Sequence, residues 1–461
     1  MRDAAFAFCW LLLIPLSLSS AYIGVLVWMW VAIFSPNDLM WGFMREVPFN
    51  KLIAALTFAA LIFRSEKKNF YFDKTGVWLL LLAVAGTASA LDSAVNNAAG
   101  WDLYFKVIKE LILAFLIMGT MESRYRIHMA VFALCIAVGY EGFVEGIEYI
   151  LSGGTHKVLG TPSVGDNNSV AVEILMSVPL LWYLIQYSAV KYMKIVLSIV
   201  LVFSVIAVIA TFSRGGFVGL LILGIFLIAK SKNKFGGLLL IGATAGLIYL
   251  AAPSDYASRV QTIDDAGEDS SFMGRVNAWK VSTAAALANP LDGAGFHGIQ
   301  QPEVWQRYRP QAETITFPAT PPMDANPHAA HSIYFEVLGD LGFTGLAIFA
   351  AVILIGLRSI GRIKRMARRH PSQAWAGDLA EMMQISMIIY CVCGAALSLA
   401  YWEGFYIFIA LISRLQRTVL EATRAEASPQ TSPAAKLAIP RPAGRPAIAG
   451  IRAKANSGAW R

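Results

Sequence analysis

Long apolar stretches separated by short basic connectors dominate the chain. Apolar runs near 50–63, 77–91, 103–121, 129–150, 168–188, 195–211, 216–229, 236–252, 341–357, 380–400 and 404–415 follow a longer opening run from Ala4 to Phe34. A helix needs about 17–25 apolar residues to cross a bilayer's hydrocarbon core. The runs show no period-2 alternation and exceed the length of barrel strands, so they read as helices whose backbone bonds close internally, as lipid requires. The expected fold is an all-α, polytopic integral membrane protein with about 12 transmembrane helices. The opening run follows only Arg2 and Asp3 and contains Pro15, and it reads as a retained anchor rather than a cleaved signal peptide. It is expected to cross once, the alternative being two short helices broken at Pro15.

Charge orients the loops, because cytoplasmic connectors carry excess Lys and Arg. Basic connectors occur at Arg64, Lys67 and Lys68, at Arg124 and Arg126, at Lys191 and Lys194, and at Lys230, Lys232 and Lys234. The strongest holds six Lys/Arg between Arg358 and Arg369. Two apolar runs separate the successive early connectors, so all of these fall on one side. Residues 92–101, 151–167 and the long segment after 252 then lie outside. The segment from Pro253 to Pro327 holds nine acids against five Lys/Arg, the reverse of the connectors' balance. The chain divides into an N-terminal multi-span region (1–252), a large periplasmic loop with candidate catalytic elements (253–340), C-terminal spans (341–420) and a basic cytoplasmic tail (421–461). From Arg424 onward the tail is rich in Pro, Ala and Gly, with seven Lys/Arg and one acid, which favours disorder or contact with anionic lipid.

Composition agrees with the pattern: 57% of the residues are hydrophobic and 15% charged, with a mean hydropathy of +0.57. A soluble α/β enzyme is excluded. The formal net charge of +8 comes largely from the tail and gives no reason to expect nucleic-acid binding. Cys9, Cys135, Cys391 and Cys393 lie in apolar runs and read as packing residues, neither a disulfide framework nor a metal site.

Polar groups gather where the outer loops meet the helices. In TFSRGGFVGLL, Arg214 stands between two apolar runs; it reads either as an arginine snorkelling to the interface or as a fork shaped for phosphate oxygens, with Gly215 and Gly216 permitting close approach. Arg259 and Arg275 in the long loop are solvated charges or ligands of the same kind. NPHAAHSIYFEVLGDLGFTGL, residues 326–346, places two of the chain's six histidines before an apolar helix. If 328–338 is helical, His328 and His331 share a face. Zinc is not expected there, because the HExxH spacing and a third ligand are missing. A histidine just outside the membrane is a natural general base, or else an interfacial side chain bonded to backbone. Asp166, Asn167 and Asn168, with Lys157 and His156 before them, suit sugar hydroxyls; helix capping is the structural alternative. Glu141, Glu145 and Glu148 recur at helical spacing and are functional suspects by position.

The spacing His331-Ser332-x9-Gly342-x-x-Gly345, preceded by Ser213-Arg214-Gly-Gly and Gly-Arg275-xxx-Trp279, resembles the signature of the O-antigen ligase and polymerase superfamily. FSPNDLMWGFMREVPFNKLIAALTF and LSGGTHKVLGTPSVGDNNSVAVEILMSVPLLWYL are similar to the branch of exosortase-associated O-glycosylation ligases. Asp340 stands where the wider family more often has Glu. The resemblance implies a metal-independent, inverting glycosyltransferase without cofactor in the bacterial inner membrane, active at the periplasmic face. Its partners would be a glycan on undecaprenyl diphosphate as donor, a glycan, lipid or protein acceptor, and membrane lipid. It casts His331 as base and Arg214, Arg275 and Arg259 as diphosphate ligands. Ser213, His328, Ser332, Gly342 and Gly345 support them, and Asp166, Asn167, Asn168 and Lys157 face the glycan. A polysaccharide polymerase is the alternative within the superfamily. A transporter or flippase of lipid-linked glycan is the alternative outside it, opposed by the absence of an internal repeat and by the concentration of polar groups at one face.

Overall fold

The computed structural model describes residues 2–64, 70–93, 97–160, 164–230, 238, 242, 246, 270–318, 323 and 325–427. Among them every regular element is helical, and the protein is an all-α polytopic membrane protein. Its main helices are α1 Arg2–Ser19, α2 Ala21–Phe34, α3 Phe49–Phe63, α4 Lys74–Leu91, α5 Ala98–Thr120, α6 Arg124–Leu151, α7 Asn167–Tyr187, α8 Lys191–Ala210, α9 Arg214–Lys230, α10 Ser270–Ala288, α11 Pro302–Glu313, α12 Ile333–Arg369, α13 Ala374–Cys393 and α14 Glu403–Ala427. Six described segments are long and apolar enough to cross a membrane, and α1, α2, α3 and α9 are shorter apolar helices. Apart from residues 238, 242 and 246, the run expected at 236–252 lies outside the described residues, as do 253–269 and with them Arg259. α14 runs on to Ala427, past residue 421, where the sequence divides off the tail.

The opening run is two helices, and the break is not at Pro15. That proline sits inside α1, as bilayer helices tolerate. The chain becomes extended at Ser20 instead, just after Ser17 Oγ and Ser19 Oγ turn back onto the carbonyls of Leu13 and Leu16 at 2.8 and 2.6 Å. Such back-bonding competes with the helical ladder.

Helix starts are written in the sequence as side-chain caps, which satisfy amides left orphaned in the first turn. Asp73 accepts from Gly76 N at 2.9 Å, Ser123 from Arg126 N at 3.2 Å, and Asp166 from Ser169 N at 2.9 Å. Lateral packing has a different cause. Lipid is as apolar as leucine, so helices associate through small residues that permit close approach. Gly139, Gly142 and Gly146 of α6 face Val200, Ser204 and Phe203 of α8; a Cβ on Gly142 would lie 2.5 Å from Ser204 Oγ and 3.0 Å from its Cα. α7 is the axis of the bundle, with every residue from Ser169 to Leu181 buried. At one end of α5, Arg414 of α14 is fully buried and donates from Nε to Met121 O at 3.1 Å and from Nη2 to Glu122 O at 3.3 Å. It thereby satisfies carbonyls that the end of α5 leaves open.

A second, smaller core forms over the other end of the bundle from Ala278, Val281 and Ala285 of α10, Val304, Trp305 and Tyr308 of α11, and Met323 and Ala330. The ANPLDGAGF turn after α10 ties this cap to α12. Gly342 has φ 66 and ψ −167, which breaks α12. Into the break come Ala294 N–H to Gly339 O at 2.8 Å, Gly295 N–H to Asp340 O at 3.1 Å, and Thr344 N–H to Pro290 O at 3.2 Å. A Cβ at Gly342 would lie 2.8 Å from both Asn289 O and Pro290 O. Strained backbone of this kind costs of order 1–3 kcal/mol. Gly342→Ala is therefore expected to destabilise the protein by about 1–3 kcal/mol, read as a lowered thermal unfolding midpoint in detergent, and an unchanged midpoint would mean that the turn does not hold the break.

Candidate functional site

Four helix ends meet below the cap, and hydrogen bonds fix their relation. At the head of α7, Asp166 Oδ1 accepts from Ser169 N at 2.9 Å and from Ser169 Oγ at 2.8 Å, and Asp166 Oδ2 accepts from Asn168 Nδ2 at 3.1 Å. Asn167 Nδ2 donates to Thr211 O at 2.7 Å, and Ser213 Oγ donates to Asn168 Oδ1 at 2.7 Å. Ser213 Oγ also accepts from Gly216 N at 2.9 Å, capping α9. The DNN and SRGG stretches are thus one polar junction between α7 and α9. Arg214 opens α9 at its exposed rim. The junction continues to α13, where Cys393 Sγ donates to Gly215 O at 3.4 Å, and from α13 to α12, where Tyr334 OH donates to Cys391 O at 2.9 Å.

His331 hangs at the start of α12. Residues 327–331 are not helical and α12 begins at Ile333, so His328 and His331 do not share a helical face. Two features explain this. His331 takes a left-handed φ of 42, and Trp279 Nε1 holds Ala330 O at 2.6 Å. Trp279 also stacks on Phe335, with ring centroids 5.1 Å apart, so α10 clamps both sides of the histidine. His328 packs edge-on against Trp305 at 5.7 Å and covers Gly274, where a Cβ would lie 3.4 Å from its Nδ1. Gly274 precedes Arg275, which the same clamp brings to the His331 loop.

Electrostatics join these pieces. Burial, chiefly, and then the Arg275 and His328 charges hold the His331 imidazole below its ordinary range, while Asp166 pushes it the other way. Burial would raise the Asp166 carboxyl, but the bonds from Asn168 and Ser169, aided by His331, hold it below the usual carboxylate range. No described acid forms an ion pair with Arg275.

The structure therefore brings together Asp166, Asn168, Ser213, Arg275, His328 and His331, with Arg214 on the rim. Ser332 is buried, and its hydroxyl neither caps α12 nor finds a hydrogen-bond partner among the described residues. Gly345 makes room for the Leu341 side chain, which a Cβ would overlap. Lys157 is exposed, and no contact joins it to the group. His156 instead binds back onto α6, 2.6 Å from Glu145 Oε2 and 3.5 Å from Glu148 Oε2. Among the described residues these three side chains form a group whose ligand atoms lie within 4.8 Å of one another, close enough to hold a metal ion.

Sequence reasoning missed a partly buried polar layer in the same bundle. Lys106 Nζ lies 2.9 Å from Glu403 Oε1, and Lys109 Nζ lies 3.4 Å from Glu110 Oε1. Glu336 Oε2 accepts from Ala400 N at 3.1 Å, and Glu173 is buried on α7. The available signal was the presence of charges inside apolar runs, which are costly in lipid and mark function by default.

Two family models match the chain. Residues 199–350 match the O-antigen ligase family, and residues 1–189 match a family of unknown function, DUF5935. No curated protein matches it. The first match spans Ser213, Arg214, Arg275, His328, His331 and Gly345.

Proposed function

We propose, from the match of residues 199–350 to the O-antigen ligase family, that the chain transfers a glycan from undecaprenyl diphosphate to an acceptor hydroxyl at the periplasmic face of the bacterial inner membrane. What the family match carries by itself is coarser: a membrane protein of glycan-transferring ligase type. The observation supporting the finer reading is the junction of Arg275, His331 and Asp166 at the ends of α10, α12 and α7.

In this reaction His331 takes the acceptor's O–H proton, and the freed oxygen attacks the anomeric carbon with inversion. The anomeric C–O bond breaks, and its electron pair leaves on the diphosphate. Negative charge grows on that diphosphate in the transition state, where Arg275 and Arg214 stabilise it with fixed, already oriented cations. Arg259 belongs to the same proposal by resemblance alone. Asn167 and Asn168, at the head of α7, are read as sugar-hydroxyl partners. An imidazole held below its usual range is neutral near pH 7 and can accept a proton.

Reconstitution in proteoliposomes with a lipid-linked glycan tests the proposal. A new glycosidic bond with release of undecaprenyl diphosphate is expected, whereas movement of intact donor without bond formation would make the protein a transporter. In a strain lacking the protein, full-length donor glycan should accumulate over an undecorated acceptor. Shortened polymers instead would assign it to polymerisation.

A further inference from the structure

We propose that Glu145, Glu148 and His156 form a zinc site at the C-terminal end of α6, which fastens the connector between α6 and α7. The inference goes beyond the proposed reaction: the ion takes no part in transfer and holds the chain that leads to the head of α7.

Geometry supports it first. Glu145 and Glu148 stand three residues apart in the last two turns of α6, so they share a helix face. His156 returns to that face from the connector. Its Nε2 lies 2.6 Å from Glu145 Oε2 and 3.5 Å from Glu148 Oε2, and the three ligand atoms lie within 4.8 Å of one another. Tetrahedral zinc holds nitrogen and carboxylate oxygen at about 2.0–2.2 Å, which puts neighbouring ligands roughly 3.4 Å apart. The Glu148 separation is close to that value, and the Glu145 contact reaches it by opening about 0.8 Å. The return of the chain is built by specific bonds. Gly153 and Gly154 turn with φ 66 and 86, Thr155 Oγ1 donates to Ser152 O at 2.9 Å, and His156 N–H donates to Ser152 Oγ at 2.8 Å. Two residues on, Val158 N–H donates to Ala210 O at 3.2 Å, at the end of α8.

Charge and donor chemistry point to a cation. A ring nitrogen carries at most one N–H, yet Nε2 faces two carboxylates. Glu141, four residues before Glu145, extends the same face with a third acid. No described Lys or Arg forms an ion pair with any of the three, and Lys157, next to the histidine, is exposed. A divalent ion takes all three ligand atoms at once and cancels both negative charges. The side chains are open to solvent, with exposures of 27% for His156, 25% for Glu145 and 54% for Glu148. One imidazole with two carboxylates is a donor set for zinc, with water in the remaining position, whereas calcium and magnesium favour oxygen alone. The consequence lies at α7, because Asp166 follows His156 by ten residues. The ion would tie the connector to α6, as Asn167 Nδ2 ties the head of α7 to Thr211 O at 2.7 Å.

The test uses the full chain in nanodiscs, purified without a polyhistidine tag, stripped with chelator and dialysed against zinc chloride. A single zinc ion per chain is expected by elemental mass spectrometry, and it should be lost in His156→Ala and in the double variant Glu145→Gln, Glu148→Gln. Amide exchange over residues 152–160 should slow when zinc is added to the wild-type chain and stay unchanged in His156→Ala. The wild-type chain also carries a test that needs no variant to fold. With zinc at about ten times its dissociation constant, carbethoxylation of His156 by diethyl pyrocarbonate should slow roughly tenfold, read by peptide mass spectrometry. A wild-type chain that binds no zinc, or whose His156 reacts equally fast with and without it, overturns the proposal. So does zinc that persists in a folded His156→Ala, or calcium that displaces it at equal concentration. None of these readings requires glycan transfer, so a chain that forms no glycosidic bond would sink the functional reading and leave the zinc site standing.

Discussion

Replacing His331 by alanine is expected to lower glycan transfer by about 10² to 10⁴, the usual contribution of a general base, while binding of the lipid-linked donor stays as it was. The split follows from the proposed roles, in which the arginines hold the donor's diphosphate and His331 acts on the acceptor. The pH profile carries a second signature. Burial, then Arg275 and His328, depress the imidazole from its ordinary 6.5, against the pull of Asp166. A base with a lowered value is neutral and competent at pH 7, and activity falls only as pH drops through that lowered value. The acid limb of the wild-type kcat profile should therefore lie below 6.5 and vanish in His331→Ala. Single-turnover transfer measured across pH checks both, and a variant that keeps the wild-type rate or the same acid limb removes His331 from the chemistry.

Much of the architecture was legible in the sequence because lipid leaves the backbone few choices. An apolar run long enough to cross the bilayer must be helical, and Asp73, Ser123 and Asp166 mark helix starts by their own capping chemistry. Register inside a run is harder to read. The opening run gave no sign that the break falls at Ser20, because Pro15 looked the stronger breaker and only the hydroxyls of Ser17 and Ser19, turned onto carbonyls, favour the later position. The site was legible as a set of residues and not as a geometry. His331 and Arg275 were chosen from spacing and resemblance; their meeting depends on Trp279 spanning from α10 to Ala330, a contact between residues far apart in the chain. The non-helical course of residues 327–331 was hidden for the same reason, since a left-handed histidine follows from its clamps and not from its own propensity. Asp166 looked like a cap or a sugar ligand, and its nearness to His331 emerges only when four helix ends are assembled. Lys106 and Glu110 share one run while Glu173, Glu336 and Glu403 stand in or beside three others, and they become a polar layer only when the helices pack together.

The same juxtaposition makes Arg275→Ala the second large effect, and one with two separable parts. Loss of a preorganised donor to a developing oxyanion typically costs about 10² to 10³ in kcat, and a comparable loss of transfer is expected here, in a variant whose retained fold is read from its unfolding midpoint in detergent. The second part concerns His331. Arg275 opposes protonation of the ring, so its removal must raise the imidazole's value and move the acid limb of the residual activity to higher pH. Arg275→Lys restores a positive charge without the two-pronged fork that matches phosphate oxygens; it should return the acid limb toward its wild-type position while recovering little of the rate. Arg214→Ala provides the contrast. Arg214 is absent from the charges acting on His331, so its loss should lower transfer without displacing the limb. If Arg275→Ala slows transfer but leaves the limb in place, the guanidinium and the imidazole do not share a cleft during turnover. If it transfers at the wild-type rate, the diphosphate must be held elsewhere, and the assignment of Arg275 fails at its root.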